Sequence, residues 1–355
     1  MRAWNRWRLL WAYLRRKTVL KALPVEYIVE TTAKCNIYCP MCPRETHKQP
    51  KEDMTDEIFS RLVSESGSSA EHMMLIGLGE PFLDAEIFNR IRYCDKHGVA
   101  TLLSTNGTLL DEEASRRLLE TPIEHITLSM DSMDKETYEF YRKGARFERV
   151  RDNFIRFAQM KHERERQGHR VPQVVVQMVR MERNAAEVES FLAYWSVIPG
   201  VDAVRVKEDE TDLMRPDAGH TADEWRHPCH YLWRGPMYVK HSGDVYPCCQ
   251  SYMLDGAPVG NVGRESLATI VNSPPMQRMR DLHARGRSGE VDICAKCRVT
   301  IPHPVMVAGS MIVHGRTVRR LLPWVERIGR RWMKPPKPLA TGPKPEEPLV
   351  QITNR

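Results

Sequence analysis

Three cysteines carry the first chemistry that the chain offers. They stand at Cys35, Cys39 and Cys42 in the run Cys35-Asn36-Ile37-Tyr38-Cys39-Pro40-Met41-Cys42. Three thiolates can hold three irons of a [4Fe–4S] cube, which leaves the fourth iron open to a small molecule. A second set lies downstream. Cys229, Cys248 or its neighbour Cys249, Cys294 and Cys297 supply four thiolates for another cube. The alternative for either set is zinc, which prefers four ligands, usually in close pairs. His47 is the nearest fourth ligand for the first set, and Cys294-x2-Cys297 is half of a zinc ribbon.

The elements that must position these thiols follow from the apolar pattern. Strand-like runs fall at 27–30, 73–78, 100–104, 125–130, 174–178 and 203–206. Helical periodicity separates them at 56–66, 85–97, 111–120, 135–142, 149–166 and 185–196. Six βα units predict a parallel sheet, too few to close an eight-stranded barrel, so the expected form is a partial (β/α)6 barrel of TIM type. The first cysteine set sits on the loop after the first strand. The second strand ends in Gly77-Leu78-Gly79-Glu80-Pro81, where glycines allow close backbone approach. The third ends in Ser104-Thr105-Asn106-Gly107, with Ser104 and Asn106 able to bond a hydroxyl or carboxylate. On the fourth, Ser129 and Asp131 share one face by strand alternation. Gln177, Arg180, Arg205 and Lys207 are further candidates for polar contacts in the cavity.

The C-x3-C-x2-C triad with these strand-end motifs resembles the radical SAM superfamily. The downstream cysteines resemble the SPASM or abbreviated twitch domain. The resemblance implies two [4Fe–4S] clusters and S-adenosylmethionine as cofactors, with Cys35, Cys39 and Cys42 holding the first cluster. It implies that Glu80, with Gly77 and Gly79, meets the methionine amino group. Ser104 and Asn106 would then lie along the ribose and methionine ends, with Ser129, Asp131 and Gln177 lining the cofactor or substrate space. Cys229, Cys248, Cys294 and Cys297 would hold one auxiliary cluster. Cys249 is then a spare thiol and a candidate catalytic hydrogen donor, unless it is a buried small hydrophobe. Cys94 reads as core.

Composition bounds the rest. The 355 residues carry a net charge of +7, unevenly spread. Residues 1–21 hold seven Lys or Arg and no acid, and residues 301–355 add a further +7, so residues 22–300 come to −7. An acidic body argues against a nucleic-acid partner. No apolar run nears the roughly 20 residues that span a bilayer, and nothing at the start reads as a secretory signal. A cytoplasmic setting is expected, where clustered cysteines mean metal or catalysis. The expected organisation is a basic amphipathic helix at 1–24, a radical SAM core at 25–215, the SPASM/twitch domain at 216–300, and a basic helix with a Pro/Lys-rich tail at 301–355. Trp4, Trp7, Trp11 and Leu14 recur at helical spacing among arginines. Such a helix either lies on the inner face of a membrane or packs on the barrel. Leu321, Val325, Ile328 and Trp332 suggest a second apolar face.

The resemblance implies hydrogen abstraction from a substrate C–H bond. The expected outcome is oxidation of a sugar, cyclitol or other polar or lipid-linked metabolite, with the auxiliary cluster accepting the electron and a flavodoxin- or ferredoxin-type donor supplying the first one. The alternatives are a peptide maturase and a radical epimerase using Cys249. Only 34 residues precede Cys35, too few for the peptide-binding domain of many maturases, so a maturase would need a partner protein.

Overall fold

The computed structural model describes residues 2–45, 50–208, 227–297 and 304–312. His47, the 321–332 apolar face and the Pro/Lys-rich stretch lie outside the described residues. Strands β1 (Glu26–Val29), β2 (His72–Met74), β3 (Ala100–Thr105), β4 (His125–Ser129), β5 (Gln173–Arg180) and β6 (Ala203–Glu208) pair in order, each parallel to the next. Helix α1 (Arg2–Leu14) precedes them. Helices α2 (Asp56–Ser66), α3 (Ile87–Lys96), α4 (Glu112–Leu119), α5 (Lys135–Tyr141), α6 (Phe147–Arg166) and α7 (Val188–Ser196) lie between them. Thr55, Asp111 and Asp134 start α2, α4 and α5 by accepting the amides of Ile58, Ala114 and Thr137. The sheet is not closed.

The expected second strand is cut short. Leu75 still donates to Leu102, but the chain then leaves the ladder for the glycine-containing turn that carries Glu80. Beyond the six strands, the sheet continues on the other side of β1. Helix α8 (Tyr231–Arg234) leads into β7 (Met237–Val239), which runs parallel to β1 with Ile28 opposite Tyr238. A turn at Gly243, with φ of 86°, returns the chain as antiparallel β8 (Asp244–Tyr246), and β9 (Gly260–Asn261) pairs with it. Helices α9 (Cys249–Met253), α10 (Leu267–Val271), α11 (Pro274–Ala284) and α12 (Asp292–Lys296) complete the cysteine-rich region, and α13 (Pro304–Ile312) packs against α1.

Register fixes which side chains face inward. Ile28, Met74, Leu102, His125 and Gln173 are aligned across β1–β5, and Ser129, Gln177 and Arg205 across β4–β6. Alternation sends Ile126, Leu128, Val174, Val176 and Met178 to the opposite, fully buried face under the helices. The inner face through β3–β6 therefore mixes polar side chains with Leu102, Val175 and Ala203. Ser104 and Ser129 hydroxyls lie 3.3 Å apart, and His125 bridges Gln173 and Thr127.

At the base of β1, Glu26 meets His72 at 3.1 Å and also pairs with Arg234. Burial alone would raise its carboxyl, but Arg234 and His72 outweigh burial and hold it well below the usual carboxylate range. A carboxyl depressed in the folded state stabilises fully above its unfolded value, about pH 4.3, and loses that contribution as the pH falls toward the depressed value. Glu26→Gln should destabilise the protein by roughly 3–5 kcal/mol near neutral pH, because Arg234 is left buried and unpaired. Anaerobic urea unfolding of the two proteins should show the gap narrowing below about pH 4; an unchanged gap would refute the pairing.

Candidate functional site

The loop bearing Cys35, Cys39 and Cys42 leaves the C-terminal end of β1 and is held from several sides. Glu80 donates its amide to the Lys34 carbonyl at 2.7 Å, and Tyr38 donates to Lys143 at 2.8 Å. The Asn36 side chain donates to Thr108 Oγ1 at 2.7 Å. Asn106 aims its amide group at Asn36 Oδ1, with Cys35 Sγ at 3.9 Å.

The two glycines serve this loop rather than opening a ligand surface. A Cβ on Gly79 would collide with the Thr32 carbonyl oxygen, and one on Gly77 would stand 2.5 Å from Glu30 Cγ. Glu30, at the end of β1, is fully buried. It accepts from the Leu78 amide at 3.0 Å and the Tyr238 hydroxyl at 2.7 Å, and pairs with His241 Nδ1 at 2.9 Å.

Glu80 is buried below the loop. Its carboxylate accepts from Thr105 Oγ1 at 2.6 Å and the Asn106 amide at 2.8 Å. Burial raises its pKa, and these hydrogen bonds oppose the rise. Glu80 and Asn106 therefore meet beside Cys35. Ser104, Ser129 and Gln177 lie together on the inner face. Asp131 does not present a free carboxylate there: Oδ1 accepts from the Val179 amide at 2.9 Å, and Oδ2 from Arg142 Nε at 2.6 Å. It positions Arg142, whose charge acts on Cys39: burial pushes the Cys39 thiol up to about 11, and Arg142 opposes this. Arg180 and Lys207 are exposed at the C-terminal ends of β5 and β6, with Arg180 paired to Glu208 at 2.7 Å, while Arg205 is half-buried. Thr105 is recoverable from the Ser-Thr-Asn-Gly run, but nothing in the sequence pattern singles out Arg142 or Glu30.

The second cysteine set surrounds its own cavity, lined by Cys229, Cys248, Cys294 and Cys297, with Ser251 and His283. Cys249 is outside that lining. It packs instead against the cluster of Leu78, Tyr238, Tyr246 and Tyr252, which Cys42 also touches. Tyr238 and Tyr252 are stacked at 4.5 Å. His283 accepts the Cys229 amide at Nδ1, and burial lowers its pKa to about 4. The neutral ring then carries its proton on Nε2, 3.4 Å from Cys294 Sγ.

Both sets fit iron–sulfur clusters. Among the described residues no three His, Cys, Asp or Glu side chains converge on a single-ion site. Zinc, with bonds of about 2.3 Å, would draw its thiolates together; a cube is larger and holds them wider apart. Burial is the main cause of the raised pKa of Cys229, to about 12, and of Cys248, well above its usual value; neighbouring thiolates add to it. A cluster's iron charge relieves that cost.

Residues 29–181 match the family model of the radical SAM superfamily, and residues 229–298 match SPASM, an iron–sulfur cluster-binding domain. Residues 29–181 are thus a radical SAM region, followed by a C-terminal SPASM region at 229–298. It is similar to a tungsten-containing aldehyde ferredoxin oxidoreductase cofactor-modifying protein of Pyrococcus furiosus, at 27% identity over 50% of this chain and 49% of that protein. An AdoMet-dependent heme synthase of Methanosarcina barkeri is 29% identical over 32% of this chain and 33% of that one. The chain thus spans about half the length, or less, of these curated relatives. The solved structure of anSMEcpe with bound AdoMet shares the fold with a TM-score of 0.57 at 18% identity, covering 87% of this chain and 99% of that one.

Two outcomes follow. Cys248→Ala should lose the auxiliary iron while Cys249→Ala keeps it, read by iron analysis and EPR; the reverse would make Cys249 the ligand. Gly79→Ala should weaken the fold by roughly 1–3 kcal/mol through overpacking and lower first-cluster iron, leaving the auxiliary signal intact.

Proposed function

We propose that the protein holds two [4Fe–4S] clusters and oxidises a polar, hydroxylated metabolite. The observation that carries this reading is the inner row of Ser104, Ser129, Gln177 and half-buried Arg205. Together these residues offer hydroxyl, amide and guanidinium partners to a sugar, cyclitol or anionic substrate. Cys35, Cys39 and Cys42 would hold a cube with an open iron for S-adenosylmethionine, which would supply a 5′-deoxyadenosyl radical given an electron from a flavodoxin- or ferredoxin-type donor.

This chain's residues do the rest. Glu80 and Asn106 would meet the methionine end beside Cys35, while the inner row would orient the substrate. Oxidation of a carbinol removes one hydrogen atom, one proton and one electron. The hydrogen atom would go to the adenosyl group, the proton to water, and the electron to the auxiliary cluster that Cys229, Cys248, Cys294 and Cys297 would hold. Gln177 and Arg205 hold the substrate hydroxyls.

The test is anaerobic reconstitution with about eight irons expected per chain. The 5′-deoxyadenosine formed should rise above the uncoupled rate with a panel of sugars and aminocyclitols. Cys294→Ala/Cys297→Ala should retain S-adenosylmethionine cleavage but lose the ketone product. Stimulation by peptides alone would favour a maturase and overturn the metabolite reading.

A further inference from the structure

Helix α1 has two apolar stripes, and among the described residues only one is packed. Leu9, Leu10, Ala12 and Tyr13 are buried. Polar side chains fasten the same side of the helix. Arg2 donates to the carbonyls of Gly67 and His97, where α2 and α3 end. Arg6 pairs with Glu71, and Asn5 exchanges two hydrogen bonds with Leu23. Tyr13 donates to the Pro228 carbonyl at 3.0 Å. The other stripe faces out. Trp4, Trp7, Trp11 and Leu14 are 62%, 54%, 58% and 57% exposed. With Val19, they make up five of the eight exposed large hydrophobics among the described residues.

Cations edge this stripe. The Arg8 guanidinium lies 5.3 Å from the Trp4 ring and Arg15 lies 4.5 Å from Trp11. A cavity lined by Trp4, Arg8, Leu20 and Lys21 opens beside them. Arg8, Arg15, Lys17 and Lys21 form no ion pair among the described residues, and no acid precedes Glu26 in the chain. Indole rings flanked by unpaired cations match an anionic lipid surface: Trp seats at the headgroup level, and the cations meet phosphate and carboxylate headgroups. No described helix is long and apolar enough to cross a membrane, so the contact is in-plane.

We propose that the outer face of α1 docks the protein on an anionic phospholipid surface. The fold fixes the orientation. Arg2 and Arg6 attach α1 where α2 and α3 end and β2 begins, the end of the barrel opposite the cysteine loop. The four residues of β1, at roughly 3.3 Å each, put on the order of 13 Å between those ends. Docked this way, the loop that carries Cys35, at the far end of β1, lies away from the bilayer. The substrate then arrives from the water side, and a lipid-linked substrate is disfavoured.

The test is co-sedimentation of the full-length holoprotein with phosphatidylserine/phosphatidylcholine vesicles and with phosphatidylcholine vesicles alone, at low and high salt. The protein should pellet with the anionic vesicles and release with salt. Trp4→Ser/Trp7→Ser/Trp11→Ser and Arg8→Glu/Arg15→Glu should each lower partitioning at least tenfold with unchanged iron content and circular dichroism. Retention of the intact protein in the supernatant at low salt would overturn the proposal, as would undiminished binding by the triple variant. So would a dimer that the triple variant dissolves, or loss in the variants of binding to an acidic electron-transfer protein without any vesicle binding.

Discussion

The buried carboxylate of Glu30 is the interaction on which the two halves of the chemistry depend. It ends the strand that launches the cysteine loop, and all of its partners come from elsewhere: the Leu78 amide in the turn before Glu80, and Tyr238 and His241 in the sheet extension. A carboxylate with no exposure must be fully hydrogen-bonded to be tolerated. The three segments therefore have to be in place together. Gly77 belongs to this arrangement because no side chain fits between its backbone and Glu30. The Tyr238 ring then closes the inner face and touches the environment shared by Cys42 and Cys249.

Much of the site was legible because its chemistry restricts residue type. Thiols at fixed spacing, a glutamate after a strand, and a Ser-Thr-Asn-Gly turn leave few readings. The parallel core was legible from period-2 and period-3.6 runs. What could not be read was contact across long separations. Nothing near Glu30 points to Tyr238 or His241, more than two hundred residues away. Asp131 looked like a cavity ligand by alternation alone, but the Val179 amide and Arg142 claim both oxygens. Gly79 looked like a ligand-approach glycine, yet it faces the Thr32 and Lys34 carbonyls.

Helix α1 shows why a single helical wheel can mislead. The Trp stripe dominates the pattern, and from sequence alone lying on a membrane and packing on the barrel are alternatives for one face. The packing face is instead the less obvious one, interrupted by Arg2 and Arg6, which serve as caps and partners for the barrel. An arginine placed at the carbonyl end of a helix is stabilised by the helix dipole, so charges that appear to spoil an apolar stripe can fasten it.

The parallel pairing of β1 with β7 also dictates an order of events during synthesis. Residues 26–29 emerge early, but one edge of that strand has no partner until residues 237–239 leave the ribosome. At about 5–20 residues per second, that interval lasts on the order of tens of seconds. Throughout it, three thiols sit beside an unfinished sheet, lacking the tyrosines and histidine that later enclose Glu30. The contacts that enclose Glu30 in the folded chain are therefore complete only once residues 237–241 have been made.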